Sequence, residues 1–213
     1  TLRSTLAWSY HLLDPDEQAL FARLGIFSGG CTYDSADYVC GQGLDVDPAD
    51  TVASLFNKNL LRSERDSEAE PRFMMLETIR EYALEQLDQR GERASLGQRH
   101  ADYFLAYAER ASALLFGQKQ REGLLLFEAE YDNLRAALKW SVETAHAAET
   151  SFRLVARLAS YWEFRGQLKE GRNWLHEVLT RHAPLTDNRA YADALYSAAD
   201  LAYYQSDYPA SRQ

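Results

Sequence analysis

Residues 72–82, RFMMLETIREY, pass from a short apolar, strand-like run straight into a helical pattern, with neither Gly nor Pro between them. A chain that welds a strand directly to a helix has few folds open to it, because the strand needs a partner close by. One partner is on offer. Leu60–Arg65 and Arg72–Leu76 read as two strands, and the polar stretch Asp66–Glu70 reads as the loop joining them. The rest of the sequence reads as helix and turn.

Upstream of the strand pair the helices are short. Thr1–Leu13 has Leu2, Leu6, Tyr10 and Leu13 at helical spacing. Asp14 then offers an N-cap, Pro15 suits the first helical position, and Asp16 and Glu17 favour the positive end of the dipole. Leu20, Phe21 and Leu24 give that helix a buried face, and GIFSGG ends it with a turn at Gly29–Gly30. Ser35–Cys40 and Pro48–Asn57 are two more helices, and Thr78–Asp88 follows the strands with Ile79, Ala83 and Leu87 on one stripe. Helices, a β-hairpin and a closing helix resemble a winged-helix domain, with Asp66–Glu70 as the wing.

From Gly91 onward only helical periodicity is present. The long segment from Arg93 to Leu115 leads, with Lys119–Glu143, Thr150–Arg165, Lys169–Arg181 and Arg189–Gln205 behind it. A repeat emerges at an offset of 40 residues: Val155 matches Leu195, Ala159 matches Ala199, Trp162 matches Ala202, Gly166 matches Ser206 and Leu168 matches Tyr208. The pattern resembles the tetratricopeptide repeat, whose usual period is about 34 residues, with the extra length falling around Ala183–Asn188. The expected fold is therefore mainly α: a winged-helix domain with one small β-hairpin over residues 1–91, then stacked antiparallel helical hairpins over 92–213. The first residue is not Met and Ser211–Gln213 stop where a helix begins, so the chain reads as an excised fragment of something longer, cut short at the C-terminus.

Composition narrows the function classes. Net charge is −9, and residues 1–91 carry 8 Lys+Arg against 16 Asp+Glu, while 92–213 carry 15 against 16. An acidic N-terminal part repels duplex DNA, so direct DNA binding is not expected of this fragment. Asp34, Asp37, Asp45, Asp47 and Asp50 flank or occupy the two short helices, against Lys58 alone just beyond them. No apolar run approaches the ~18 residues that span a membrane, and no signal peptide opens the chain, so a cytoplasmic setting is expected. Cys31 and Cys40 lack metal-ligand spacing and read as buried thiols; neither a metal site nor a disulfide framework is expected. His100, His146, His176 and His182 have no Ser or Cys partner that would make a triad. Glu128, Glu130 and Asp132 read as a solvated face, and Asp132-Asn133 as a helix start or buttress. Nothing matches GxxxxGK[ST], so the chain is expected to be no enzyme, with no catalytic residue and no cofactor of its own.

Four stretches together resemble a known family: LRSTLAWSYHLLDPDEQALFARLGIFSGG, FMMLETIREYALEQL, EYDNLRAALKW and YWEFRGQLKEGRNWL. They are similar to the middle of bacterial STAND-type regulators, the signal-transducing P-loop NTPases related to NB-ARC proteins. The resemblance implies a nucleotide-binding domain upstream in the parent chain, holding ATP or ADP. It also implies a winged helix that closes over the nucleotide and helical repeats that take a protein, peptide or small-molecule inducer. At the strand–helix joint such relatives carry Met-His-Asp, onto which Met75-Leu76-Glu77 falls. Leucine cannot donate to a phosphate, so what carries over is a hinge role for Met75 and Glu77. Arg80, one turn on, pairs with Glu77 or reaches the nucleotide domain. Among the aromatics of the last third, Tyr161, Trp162, Tyr203 and Tyr204 are the candidate partner-binding residues. The function expected on this resemblance is the regulatory fragment of a transcription-controlling ATPase. The alternative is a DNA-binding winged-helix factor with a helical dimerisation region.

Overall fold

The computed structural model describes residues 2–64, 71–185 and 188–207. Among them lie eleven helices and one two-stranded antiparallel sheet. The chain divides into two compact units, Thr1–Tyr103 and Phe104–Gln213.

The first unit is a winged helix preceded by one extra helix. In chain order it holds α1 (Leu2–His11), α2 (Pro15–Leu24), α3 (Tyr33–Cys40), α4 (Pro48–Asn57), β1 (Arg62–Glu64), β2 (Arg72–Met74) and α5 (Glu77–Gln89), then the beginning of α6 (Arg93–Leu114). The start of α2 follows from its sequence. Asp14 accepts from the Glu17 amide at 2.9 Å, and Glu17 accepts from the Asp14 amide at 3.0 Å, a reciprocal capping box with Pro15 at the first position. Thr32 and Ser35 cap α3 in the same reciprocal way. Leu20, Phe21, Val39, Val52, Leu55 and Leu87 are almost wholly buried. Tyr10 of α1 meets Phe21 of α2 and Tyr82 of α5 at ring separations of 5.5 and 5.8 Å.

The strands are shorter than their apolar runs suggest. β1 and β2 pair Arg62 with Met74, Ser63 with Phe73 and Glu64 with Arg72. A third strand position, not anticipated, is supplied by Cys31, which exchanges both backbone hydrogen bonds with Phe73 at 2.8 Å. A single paired residue between a Gly-Gly turn and a helix cap leaves no periodicity to read. The wing loop expected at Asp66–Glu70 lies outside the described residues.

In the second unit the remainder of α6 is followed by α7 (Gln120–Ala129), α8 (Tyr131–Glu143), α9 (Ala148–Phe164), α10 (Leu168–Arg181) and α11 (Arg189–Tyr204). Helix α9 lies against α8, α10 and α11, and α10 against α11. The expected single helix Lys119–Glu143 is two helices. Glu130 breaks it, with φ −116° and ψ 15°, and its buried carboxylate accepts from Asn133 Nδ2 at 2.7 Å. That bond also removes Glu130 from the expected solvated face and explains why Asn133 is fully buried. One pair of positions matched by the 40-residue offset shares a backbone conformation. Gly166 and Ser206 both adopt positive φ, 67° and 62°, and the next amides, of Gln167 and Asp207, bond to the carbonyls of Trp162 and Ala202 at 2.8 and 2.9 Å.

Acid acts on the second unit through a buried histidine. Burial pushes the His182 imidazole below its ordinary value, outweighing a bond with the Ser141 backbone, and its Nε2 has no hydrogen-bond partner. The folded chain thus binds that proton more weakly than the unfolded chain. Its stability is unaffected above the unfolded value near 6.5 and declines as pH falls below it. We expect a lower melting midpoint at pH 5 than at pH 7.5, and a smaller difference in a His182→Asn variant. An equal difference in wild type and variant would assign the acid sensitivity elsewhere.

Candidate nucleic-acid interface

Helices α3 and α4 are joined by the turn 41–47, GQGLDVD, and are followed by the hairpin, the order of a helix-turn-helix with its wing. Asp47 caps α4 by accepting from the Ala49 amide at 2.8 Å. Thr51, Val52 and Leu55 form the buried face of α4. Its other face exposes Asp50, Phe56 and Asn57, and Lys58 and Asn59 follow at the C-terminal end, with Arg62 exposed on β1. Charge is therefore polarised along this surface. The acids Asp45, Asp47 and Asp50 sit at the start of α4, while Lys58 and Arg62 sit at its end beside the hairpin.

Two buried charges on α2 hold α4 and the turn in place. Glu17, 6% exposed, takes hydrogen bonds from Ser54 Oγ at 2.6 Å and from the Lys58 ammonium. Burial acts to raise the Glu17 pKa, but the bonds from Lys58, Ser54 and the Asp14 amide outweigh it and hold the carboxyl below the usual range. Arg23, 9% exposed, donates from Nη1 to the carbonyls of Cys40 and Gln42 at 2.8 and 2.9 Å, and from Nε to Glu92 at 2.6 Å. A buried charge is tolerated only when its bonding capacity is met, and both residues meet that condition across helix boundaries. Sequence reading names Glu17 only as a first-turn acid and does not single out Arg23. The only signal available was an acid and a base on an otherwise apolar helical face.

The joint residues lie together at one place. Glu77 is the first residue of α5, where Leu76 occupies the N-cap without a side-chain bond. The Glu77 carboxylate receives both Arg80 Nε at 3.0 Å and Nη2 at 2.8 Å, and Arg80 Nη1 also donates to the Gly25 carbonyl at 3.3 Å. The Arg80 hydrogen bonds keep the Glu77 carboxyl below its ordinary value. Met75 is half-buried and lines a cavity of about 70 Å³ together with Glu77, Arg80, Gly30 and Phe73. The aromatic candidates separate. Tyr161 and Trp162 are buried in the second unit, so neither presents a surface to a partner, while Tyr203 and Tyr204 are exposed. Cys31 and Cys40 are buried, and among the described residues no group of side chains has a metal-binding arrangement. No described helix is long and apolar enough to cross a membrane.

This arrangement defines a class: residues 13–88 match the winged helix-turn-helix domain family. The chain is also similar to proteins of Mycobacterium tuberculosis and Mycobacterium bovis that are provisionally named HTH-type transcriptional regulators. It is 38% identical to each over 182 residues, covering 84% of this chain and 20% of the relative. An uncharacterized Mycobacterium tuberculosis protein is 35% identical over 95 residues, covering 43% of this chain and 24% of that protein. The chain thus spans about a fifth of the length of the curated relatives it matches. No solved structure shows a significant match. These names speak of a helix-turn-helix and of transcriptional regulation; they carry neither the signal-transduction ATPase nor the tetratricopeptide repeat.

One expectation is overturned. Net charge argued against direct DNA binding by this fragment, yet the matching family and the named regulators point toward it. A net charge does not say where the charges sit: Asp14 and Asp47 are engaged in helix caps, and Glu17 is buried against Lys58.

Proposed function

We propose that the first unit is a sequence-reading DNA-binding module of a transcriptional regulator. Its contact surface would be the C-terminal half of α4 and the adjoining hairpin. The single observation that carries the reading is the order α3, turn, α4, hairpin within residues matching the winged helix-turn-helix family. The polarised surface chooses the end. Asn57 and Asn59 offer amides suited to adenine edges, and Arg62 offers a guanidinium suited to guanine or phosphate. The acids at the start of α4 keep that end away from the backbone of the duplex.

The test is selection from a random duplex library, followed by fluorescence anisotropy on the enriched sequence. We expect affinity to fall with salt at a slope corresponding to roughly two to four phosphate contacts. Arg62→Ala is expected to weaken binding about tenfold, and Asn57→Ala to relax preference at one position by ~1–3 kcal/mol. Failure to enrich any duplex at low salt would overturn the reading.

A further inference from the structure

The turn that leads into α4 has few backbone bonds of its own. Within residues 41–47, the Leu44 amide reaches the Gly41 carbonyl at 3.2 Å, and Gly43 takes a positive φ of 75°. The bonds that fix the turn come from outside it. Arg23 Nη1 holds the carbonyls of Cys40 and Gln42, and Arg99 Nη1 donates to the Gln42 side-chain oxygen. Arg23 is itself held by Glu92 at 2.6 Å, and Glu92 takes a second bond from Arg90 at 3.3 Å. Arg23, Gln42, Glu92, Ser95 and Arg99 surround one polar depression. Glu92 directly precedes α6 and Arg99 lies in its second turn.

We infer that Glu92 and Arg99, at the beginning of α6, are positioning residues for the candidate DNA interface. They act through Arg23 and Gln42 on the turn that aims α4. The inference rests on the DNA-binding reading for its functional consequence but not for its structural one. α6 runs unbroken from Arg93 to Leu114, past the division between the two units at Tyr103. The helix whose first turns hold the turn is therefore also the helix that opens the second unit. Any ligand or partner that reorients the first turns of α6 moves Arg99, which bonds Gln42, and Glu92, which holds Arg23 against the Gln42 carbonyl, and α4 with them. This places a control point outside the recognition surface, where a substitution alters DNA binding without touching DNA.

The experiment compares wild type with Glu92→Gln and Arg99→Gln in the whole chain. Glu92→Gln keeps an oxygen acceptor but loses the charge. Arg99→Gln breaks the second tie at a partly exposed site, where folding is not at risk. Hydrogen exchange is read on amides 41–47, with the β1–β2 pair as internal control. Binding is read with a fluorescein-labelled mixed-sequence 30-base-pair duplex at low salt. Each variant is expected to speed exchange in the turn by about tenfold with the hairpin unchanged, and to weaken duplex binding by a factor of about three to ten. Turn exchange unchanged in both variants, or exchange accelerated uniformly through the unit, would overturn the inference. Duplex binding unchanged while the turn loosens would also overturn it. If wild type itself binds no duplex, the DNA reading fails, and turn exchange alone then decides the positioning role.

Discussion

Trp162→Ala is expected to destabilise the second unit by ~3–5 kcal/mol, the range found when a large buried aromatic is truncated. Trp162 has no exposed surface, and its indole Nε1 donates to the Tyr131 hydroxyl at 2.7 Å. Gly171 of α10 lies against the ring so closely that a Cβ there would sit 2.8 Å from Trp162 Cε3 and 2.6 Å from Leu201 Cδ1. The indole is thus held between α8, through Tyr131, and α10, through Gly171. Urea unfolding followed by far-UV circular dichroism measures the cost. Trp162→Phe keeps most of the ring but loses the donor, and should cost ~1–2 kcal/mol. A loss below about 1 kcal/mol for Trp162→Ala would show that the site collapses freely and is not the packing centre described here.

The second large effect is expected at the hairpin. Gly30 has φ +84°, and a Cβ on it would fall on the Phe73 carbonyl oxygen and the Met74 side chain. Gly30→Ala combines a left-handed backbone penalty with a clash against a carbonyl that is itself bonded to Cys31. The expected cost is roughly 2–4 kcal/mol. It should appear together with loss of exchange protection at the amides of Cys31 and Phe73. Protection retained at both amides in a folded variant would refute the account.

Much of this fold was written in local chemistry. Asp14, Pro15 and Glu17 specify the start of α2, Asp47 and Pro48 that of α4, and the weld RFMMLETIREY specifies β2 running into α5 with only Met75 and the N-cap Leu76 between them. Gly166 and Ser206, matched at the 40-residue offset, take the same backbone conformation. What sequence could not supply was tertiary. The Glu130 break has neither Gly nor Pro, and comes from a buried acid finding Asn133. Trp162 and Tyr161 were grouped with Tyr203 and Tyr204 because aromatic content does not distinguish the inside of a helix pair from its outside. Total charge does not show that the exposed acids Asp45, Asp47 and Asp50 gather at the start of α4 while Arg62 lies at its other end and Lys58 is tied to Glu17. Arg23, the residue on which the turn depends, looked like one cation among many.

The register of the hairpin has a last consequence. Glu64 faces Arg72 across the base of the wing, and that pairing is secured from the other side by Cys31. Chain spliced between Glu64 and Arg72 meets a frame already closed beneath it. Closing a longer excursion costs only about 0.6 kcal/mol per doubling of its length. Related chains are therefore free to vary the length of this segment while leaving the helices on either side undisturbed.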